Sequence, residues 1–182
     1  MNAPALNLYL VGFAGTGKST IGRLVARELG FAFYDTDHEI EQRQGKPVAQ
    51  IFAEEGEAAF RELERRVVAE QLPASAAVVA CGGGLIVPAG RLELLKAKGL
   101  VVCLHAPVEV LVERTRRTAH RPLLAGEDRE KKVRDLFASR EPIYRRAGTM
   151  VLTGGRTKHD IVEHVLRVYR EEARAWKPDG QA

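Results

Sequence analysis

Features that mark several protein classes are scarce in this chain of 182 residues. It has two cysteines, Cys81 and Cys103, and both lie in apolar stretches, which favours buried thiols in a reducing compartment over a disulfide or a metal pair. The five histidines show no spacing typical of a metal site or a catalytic triad. Because the first residues lack the basic region and cleavage site of a signal peptide, we expect a cytoplasmic protein.

The sequence also gives no indication of a transmembrane segment. The uncharged run at residues 71–90 is long enough to cross a membrane, but two prolines and four glycines interrupt it, so it predicts a helix end, a buried strand and a loop. The 28 basic residues are dispersed among 24 acidic ones, and the chain has no nucleic-acid recognition motif. We therefore expect neither a membrane nor a nucleic acid as a partner. A basic pocket for small anions accounts for the net charge of +4.

A phosphate-binding motif is present near the start of the chain. Residues 12–19 have the sequence Gly-Phe-Ala-Gly-Thr-Gly-Lys-Ser, which fits G-x-x-x-x-G-K-[ST] and follows an apolar run. Glycines let the backbone curl around a polyphosphate, so that N–H groups and the positive end of the following helix face the anion. In this motif Lys18 neutralises β- and γ-phosphate oxygens, and Ser19 holds Mg²⁺. The predicted nucleotide-binding residues are Gly12, Gly15, Thr16, Gly17, Lys18, Ser19 and Thr20.

The apolar pattern predicts a single α/β domain over residues 1–182. Apolar runs predict strands at 6–11, 31–34, 76–81, 100–104 and 149–152. Periodic segments predict helices at 18–29, 36–44, 57–72, 88–98, 108–117, 128–146 with a possible break at Pro142, and 160–176, and Pro47 predicts the start of a short helix over 47–52. Such alternation is typical of a parallel sheet with helices on both faces. Ligands bind at the carboxyl ends of strands in these sheets, so we expect one crevice to contain Lys18, Asp35, Asp37 and the glycines at 82–84.

Two aspartates come directly after the second predicted strand. Residues two apart in an extended segment point the same way, so Asp35 and Asp37 can both face the crevice. One carboxylate can then reach the Mg²⁺ shell through water, while the other accepts hydrogen bonds from a substrate hydroxyl. The alternative is that they only cap the next helix. Thr36 followed by Glu39 predicts a capping box there.

Other candidate residues are ambiguous when taken singly. Gly82, Gly83 and Gly84 follow the third predicted strand, where they permit backbone contact with a ligand or form a flexible turn. Three arginines on separate elements, each compatible with a solvated surface charge, are Arg61, Arg121 and Arg140. Arg61 and Glu64 are one helical turn apart and can pair at the surface. The stretch around Arg121 has no clean period and predicts a lid at about 116–128, and residues 177–182 are predicted to be disordered.

Taken together and in order, these motifs resemble shikimate kinases. The motifs that carry the resemblance, after the P-loop, are Asp35-Thr36-Asp37, Phe60-Arg61-Glu62-Leu63-Glu64, Gly82-Gly83-Gly84, Arg121-Pro122-Leu123-Leu124 and Arg140-Glu141-Pro142-Ile143-Tyr144. The resemblance implies a three-layer P-loop fold of the nucleoside-monophosphate-kinase type, with a five-stranded parallel sheet, a substrate-binding helical subdomain at about 36–64 and a lid. It also implies transfer of the ATP γ-phosphate to the 3-hydroxyl of shikimate, a step in aromatic amino-acid biosynthesis.

The resemblance further implies roles for individual residues. Asp37 holds the substrate hydroxyls and can act as base, and Asp35 supports Mg²⁺ with Ser19. The residues implied to bind the shikimate carboxylate are Arg61, Arg140 and the backbone of Gly82, Gly83 and Gly84, with Glu64 holding Arg61. Arg121 closes with the lid onto the phosphate, and Arg114 lies against adenine. Converging arginines suit a small carboxylate, because a guanidinium grips it through parallel hydrogen bonds.

Two other functions remain open on the sequence. One is a kinase of the same fold for another small hydroxylated metabolite, such as gluconate. The other is a nucleotide-binding regulator without turnover, although the intact Lys18, Ser19, Asp35 and Asp37 favour an enzyme. The resemblance favours a monomer whose partners are its small-molecule substrates, ATP and shikimate.

Overall fold

The computed structural model of this protein describes residues 5–116 and 128–176. Arg121, most of the predicted lid and the predicted tail lie outside the described residues. Within those two ranges, no helix has both the length and the apolar character needed to cross a membrane.

The described residues form one parallel sheet of five strands in the order β2-β3-β1-β4-β5. The strands are β1 Asn7–Val11, β2 Ala32–Asp35, β3 Ala77–Ala80, β4 Gly99–His105 and β5 Thr149–Leu152. Every residue of β1 and β3 is buried, as expected for strands covered on both faces. The predicted five-stranded parallel sheet is therefore confirmed. Because β2, β3 and β1 are neighbours, the segments that follow them emerge at one edge.

Within the described residues, six helices lie between strands and a seventh follows the last strand. They are α1 Lys18–Leu29, α2 Thr36–Gln44, α3 Val48–Arg66, α4 Arg91–Lys98, α5 Val108–Arg116, α6 Arg129–Ala147 and α7 Lys158–Ala175. The third helix is kinked at Gly56, whose φ of 81° lies in the left-handed region, and it continues into a π-helical turn, Val67–Gln71. The sixth helix contains Pro142 without interruption, so the break considered for that position is absent.

Strand alternation divides the core into two layers. Tyr9 and Val11 of β1 face a cluster completed by side chains of α4, α5 and α6, whereas Leu8 and Leu10 face α1 and α7. Each fully buried aliphatic or aromatic side chain contributes about 1.5–3 kcal/mol to the free energy of unfolding. A third, smaller cluster belongs to α2, α3 and the π-helical turn, with Ile40, Ile51, Phe60 and Val67 at its centre. These helices thus have a small core of their own, beside the edge where β2 and β3 end.

The first helix packs closely on the sheet and thereby fixes the loop that precedes it. A Cβ at Gly22 would lie 2.7 Å from a ring carbon of Phe33, so only glycine allows this approach of α1 to β2. The helix ends where predicted, at Gly30, which adopts a left-handed conformation with φ of 68°. Lys18 and Ser19, its first two residues, are held at the carboxyl edge of the sheet.

Candidate active site

The loop between β1 and α1 has a backbone that glycine makes possible. Gly12, Gly15 and Gly17 have φ values of 133°, 85° and 96°, in the region that other residues rarely adopt. A Cβ at Gly12 would also collide with the carbonyl of Leu104. The hydroxyl of Thr16 donates to the carbonyl of Phe13 at 2.9 Å and braces the turn. The loop is therefore built in advance as an anion cradle in front of α1.

Lys18 extends over this loop. Its side chain is largely buried, and Nζ donates to the carbonyls of Gly12 at 2.8 Å and Phe13 at 2.9 Å. These contacts hold the ammonium group where phosphate oxygens lie in this motif.

Ser19 and Asp35 are in close polar contact beside the phosphate loop. The Ser19 hydroxyl donates to Asp35 Oδ2 at 2.5 Å, and Asp35 Oδ1 accepts from the backbone N–H of Asp37 at 3.2 Å. Asp35 is thus the N-cap of α2 and also the partner of Ser19. Its role as a cap is therefore compatible with the position predicted for a metal ligand. Adjacent hydroxyl and carboxylate oxygens are the hard ligands that Mg²⁺ prefers, and this donor pair fits that ion.

The capping box predicted at Thr36 and Glu39 is wrong. Asp35 takes the N-cap position, and the buried hydroxyl of Thr36 instead accepts a 2.8 Å hydrogen bond from the backbone N–H of Gly82. This bond joins the end of β2 to the segment after β3. It holds the glycine loop, defined here as residues 82–84, against the start of α2.

Two carboxylates converge on the glycine loop. A Cβ at Gly82 would lie 2.5 Å from Asp37 Oδ1 and 2.7 Å from Glu64 Oε1, so a side chain at this position would displace both. Glu64 is only 1% exposed. Burial raises its pKa to about 7, with the charge of Asp37 acting in the same direction and those of Arg61 and Arg91 opposing it. Burial thus favours the protonated form of Glu64, whereas the two arginines favour its carboxylate.

Arg61 is held from two sides on its own helix. Its Nη1 donates to Glu64 Oε2 at 2.7 Å, and its Nη2 donates to Glu57 Oε1 at 2.7 Å. The guanidinium lies against the glycine loop, since a Cβ at Gly84 would come within 2.6 Å of Nη1. The contact between Arg61 and Glu64 implied by the family resemblance is present.

The sixth helix supplies a second arginine and a tyrosine. Arg140 is 9% exposed, and Tyr144, one turn further on, donates from its hydroxyl to the carbonyl of Gly83 at 2.5 Å. Burial raises the pKa of Tyr144 to about 12, while the nearby Arg140 opposes this, so the phenol remains a donor at neutral pH. The helix that carries Arg140 is thereby tied to the glycine loop.

The phosphate loop, α2, α3, the glycine loop and α6 border one cleft of about 540 Å³, a size typical of small-ligand sites. The predicted site residues that line it are Gly15, Gly17, Lys18, Ser19, Thr20, Asp35, Asp37, Arg61, Gly82, Gly83, Gly84 and Arg140. Val48, Phe52 and Phe60 add an apolar wall from α3. The cleft thus joins an anion cradle, a pair of aspartates and two arginines.

Other predicted site residues lie beside or beyond the cleft. Gly12 and Thr16 belong to the phosphate loop but do not line the cleft: Gly12 packs on the carbonyl of Leu104, and Thr16 donates to the carbonyl of Phe13. Arg114 donates to the carbonyls of Gly15 at 3.1 Å and Thr153 at 2.9 Å, and so ties that loop to the end of β5. Arg121 lies outside the described residues.

Several residues that shape the site were not predicted from sequence. Thr36 was predicted only to cap a helix, and no role was assigned to Tyr144 or to Arg91, which donates from Nη2 to the carbonyl of Arg61 at 2.7 Å. Their partners are between 30 and 61 positions away in the chain. No local sequence pattern indicates such contacts.

Known proteins resemble this chain over most of its length. The family model for shikimate kinase matches residues 14–170. A shikimate kinase of Pseudomonas aeruginosa is 46% identical over 167 residues, which cover 91% of this chain and 97% of the relative. The structure of a shikimate kinase from Acinetobacter baumannii in complex with shikimate superposes with a TM-score of 0.87 at 41% identity, covering 94% of this chain and 95% of the other. A gluconokinase from Sinorhizobium meliloti, at 20% identity and a TM-score of 0.58, shares the fold alone over 96% of this chain and 97% of its own.

Proposed function

This chain belongs to the shikimate kinase family, and we propose that it transfers the γ-phosphoryl group of ATP to the 3-hydroxyl of shikimate. The products are shikimate 3-phosphate and ADP, in aromatic amino-acid biosynthesis. The observation that carries the proposal is the cleft in which the phosphate loop, Asp37, the buried Arg140 and the partly buried Arg61 meet. A polyhydroxylated carboxylate requires these groups, and a nucleoside triphosphate requires the loop.

Arg61 and Arg140 bind the substrate carboxylate in this account. They reach the cleft from α3 and α6, and the glycine loop lies between the helices with its backbone accessible to a ligand. A guanidinium in a partly buried site gives charge-assisted hydrogen bonds that are stronger than neutral ones. The apolar wall formed by Val48, Phe52 and Phe60 suits the carbon ring of the substrate.

Asp37 positions the attacking hydroxyl group and accepts its proton. Phosphoryl transfer depends mainly on alignment and on stabilisation of charge on the transferred group. Lys18 supplies a fixed positive charge beside the phosphate loop, while the N-terminus of α1 adds its backbone N–H groups. Arg121 completes the set from the lid at about 116–128, and Arg114 contacts the adenine base, both on the strength of the family resemblance.

Ser19 and Asp35 hold Mg²⁺ in this proposal. Their oxygens are 2.5 Å apart at the start of α1 and the end of β2, next to the phosphate cradle. When bound, the ion neutralises charge on the β- and γ-phosphates of ATP. The protein's own part is to keep the two oxygen ligands at the carboxyl edge of the sheet.

We also propose that residues 36–64 act as the substrate-binding subdomain. Their separate small core supports this, because α2 and α3 can then shift as a unit relative to the sheet. Monomeric state and cytoplasmic location stay predictions.

The position of phosphorylation tests the reaction directly. After incubation with ATP, Mg²⁺ and shikimate, ³¹P-coupled NMR of the product should show the phosphate on the 3-oxygen. A phosphate on another oxygen would contradict the proposed placement of Asp37, and a phosphorylated gluconate in a parallel reaction would favour the related sugar-acid kinase.

A further inference from the structure

The arginine at the start of α4 has no role in the function proposed above. Arg91 is the first residue of that helix, just after the loop that begins at the glycines. Its Nη2 donates to the backbone carbonyl of Arg61 at 2.7 Å. Its Nη1 is buried and makes no hydrogen bond with any residue in the described ranges. The guanidinium of Arg91 therefore reaches from α4 to α3 instead of extending into solvent.

The carbonyl that Arg91 grips belongs to the turn of α3 on which the site depends. Arg61 and Glu64 lie on this turn, and Glu64 is the buried partner of the Arg61 guanidinium. Immediately after it, at Val67–Gln71, the helix widens into a π-helical turn. The hydrogen bond from Arg91 to the Arg61 carbonyl therefore fixes a turn that lies shortly before α3 ceases to be regular.

Charge gives Arg91 a second effect on the same turn. The groups that face Glu64 are Arg61 from its own helix, Asp37 from α2, Cys81 from the end of β3 and Arg91 from α4. Asp37 disfavours the ionised carboxylate, whereas the two arginines favour it. Arg91 is thus a cation from outside α3 that supports the charge of Glu64, and thereby the ion pair of Glu64 with Arg61.

We propose that Arg91 is a positioning residue for the substrate-carboxylate site, which keeps Arg61 oriented by fixing its helical turn and by maintaining its partner Glu64 as a carboxylate. The inference rests on the proposed function in that Arg61 is taken to bind the carboxylate of shikimate. Arg91 itself does not line the cleft.

The test compares Arg91→Met, which removes the charge and the donor, with Arg91→Lys, which keeps both in part. Lys98→Met is the matched control, because Lys98 also lies on α4 and donates to a backbone carbonyl, that of Ala69 at 2.9 Å. For Arg91→Met we expect KM for shikimate to rise about fivefold to tenfold, with kcat and KM for ATP within about twofold. The acid limb of kcat/KM should move up by about half a pH unit or more, and Arg91→Lys should restore it.

A direct titration separates this inference from the proposed function. The pKa of Glu64, followed by ¹³C NMR of the side-chain carboxyl in the substrate-free protein, should rise in Arg91→Met and remain unchanged in Lys98→Met. If the protein proves inactive with shikimate, this shift still supports the role of Arg91. An unchanged Glu64 pKa and unchanged KM in Arg91→Met would overturn it, as would equal effects in Lys98→Met. If Arg91→Met does not fold, the same titration in Arg91→Lys and Arg91→Gln decides, because only the neutral variant should show the shift.

Discussion

The phenolic hydroxyl of Tyr144 donates a 2.5 Å hydrogen bond to the backbone carbonyl of Gly83, and so joins α6 to the glycine loop. Tyr144 also packs edge-on against Phe13 of the phosphate loop, with ring centroids 6.5 Å apart. One side chain thus connects the segment that cradles phosphate, the glycines and the helix that carries Arg140. These contacts fix the position of α6 and the glycine loop, on the substrate side of the cleft, relative to the phosphate loop on its nucleotide side.

Replacing Tyr144 with Phe should therefore loosen the substrate half of the cleft. The carbonyl of Gly83 loses its donor, which costs about 1–3 kcal/mol of unfolding free energy for a buried acceptor. We expect KM for shikimate to rise and KM for ATP to stay nearly constant. Steady-state kinetics and urea denaturation measure the two effects.

Tyr169 provides the matched control for that variant. It is a buried tyrosine on α7 whose hydroxyl donates to the carbonyl of Leu6 at 3.0 Å, on the other face of the sheet. Tyr169→Phe should lose stability without changing KM for shikimate. Equal kinetic changes in both variants would show that the bond between Tyr144 and Gly83 has no special importance for the site.

Asp37→Asn should retain ATP binding and lose most turnover. The amide preserves the shape of the side chain but cannot accept the proton, and a general base typically contributes about 10²- to 10⁴-fold to the rate. Calorimetry with a non-hydrolysable ATP analogue and steady-state kcat give the two readouts. Asp135→Asn, an exposed aspartate paired with Lys131 on α6, is the control and should behave as wild type. Near-normal kcat in Asp37→Asn would remove Asp37 from the chemistry.

Arg61→Ala should chiefly damage shikimate binding. Hydrogen bonds to a charged group contribute about 1.5–3 kcal/mol, which corresponds to a rise in KM of roughly ten- to a hundredfold. Arg65→Ala is the control, because Arg65 is one turn along the same helix and pairs at the surface with Glu62. An unchanged KM for shikimate in Arg61→Ala would contradict its role in binding the carboxylate.

Sequence alone predicted the sheet and most of the site, because those features depend on local patterns. The phosphate loop has a fixed spacing, the strands are continuous apolar runs, and Asp35 and Asp37 follow a strand directly. Thr36 is a position at which reasoning from local patterns gave the wrong contact. A threonine before a helix is usually a cap, but here the side chain bonds to Gly82, 46 positions away, and Asp35 takes the cap.

The sequence also could not predict the raised pKa of Glu64. As a residue three positions from Arg61 it resembled half of a surface ion pair, which has little effect on pKa. Its burial beside Asp37 and Arg91 is a consequence of how α2, α3 and α4 pack, and those contacts are specified by the whole chain. Arg91 likewise begins a helix with no local sign that it contacts α3.

The pKa of Glu64 makes stability depend on pH in a definite direction. Burial raises this pKa from 4.5 to about 7, so the folded state binds the proton more tightly than the unfolded state. The resulting contribution to stability is fully present below about pH 4.5 and is lost as pH rises through about 7, with a total of up to about 3 kcal/mol. Glu64→Gln should remove this contribution, so its unfolding free energy should decline less than that of wild type between these pH values.

Glu62→Gln is the control for that pH series. Glu62 is a partly exposed residue of the same helix, and hydrogen bonds from Arg65 lower its pKa to about 2. Its contribution is therefore lost as pH falls, which is the opposite direction. If wild type and Glu64→Gln show the same pH dependence of unfolding, Glu64 does not titrate near neutral pH.

The most direct test of the proposed function is ADP release by the purified protein with ATP and Mg²⁺, measured with shikimate, with gluconate, with a nucleoside monophosphate and without an acceptor. The account predicts turnover that depends on shikimate and remains at background in the other three reactions. Turnover with gluconate alone, or ATP binding without turnover on any acceptor, would contradict it.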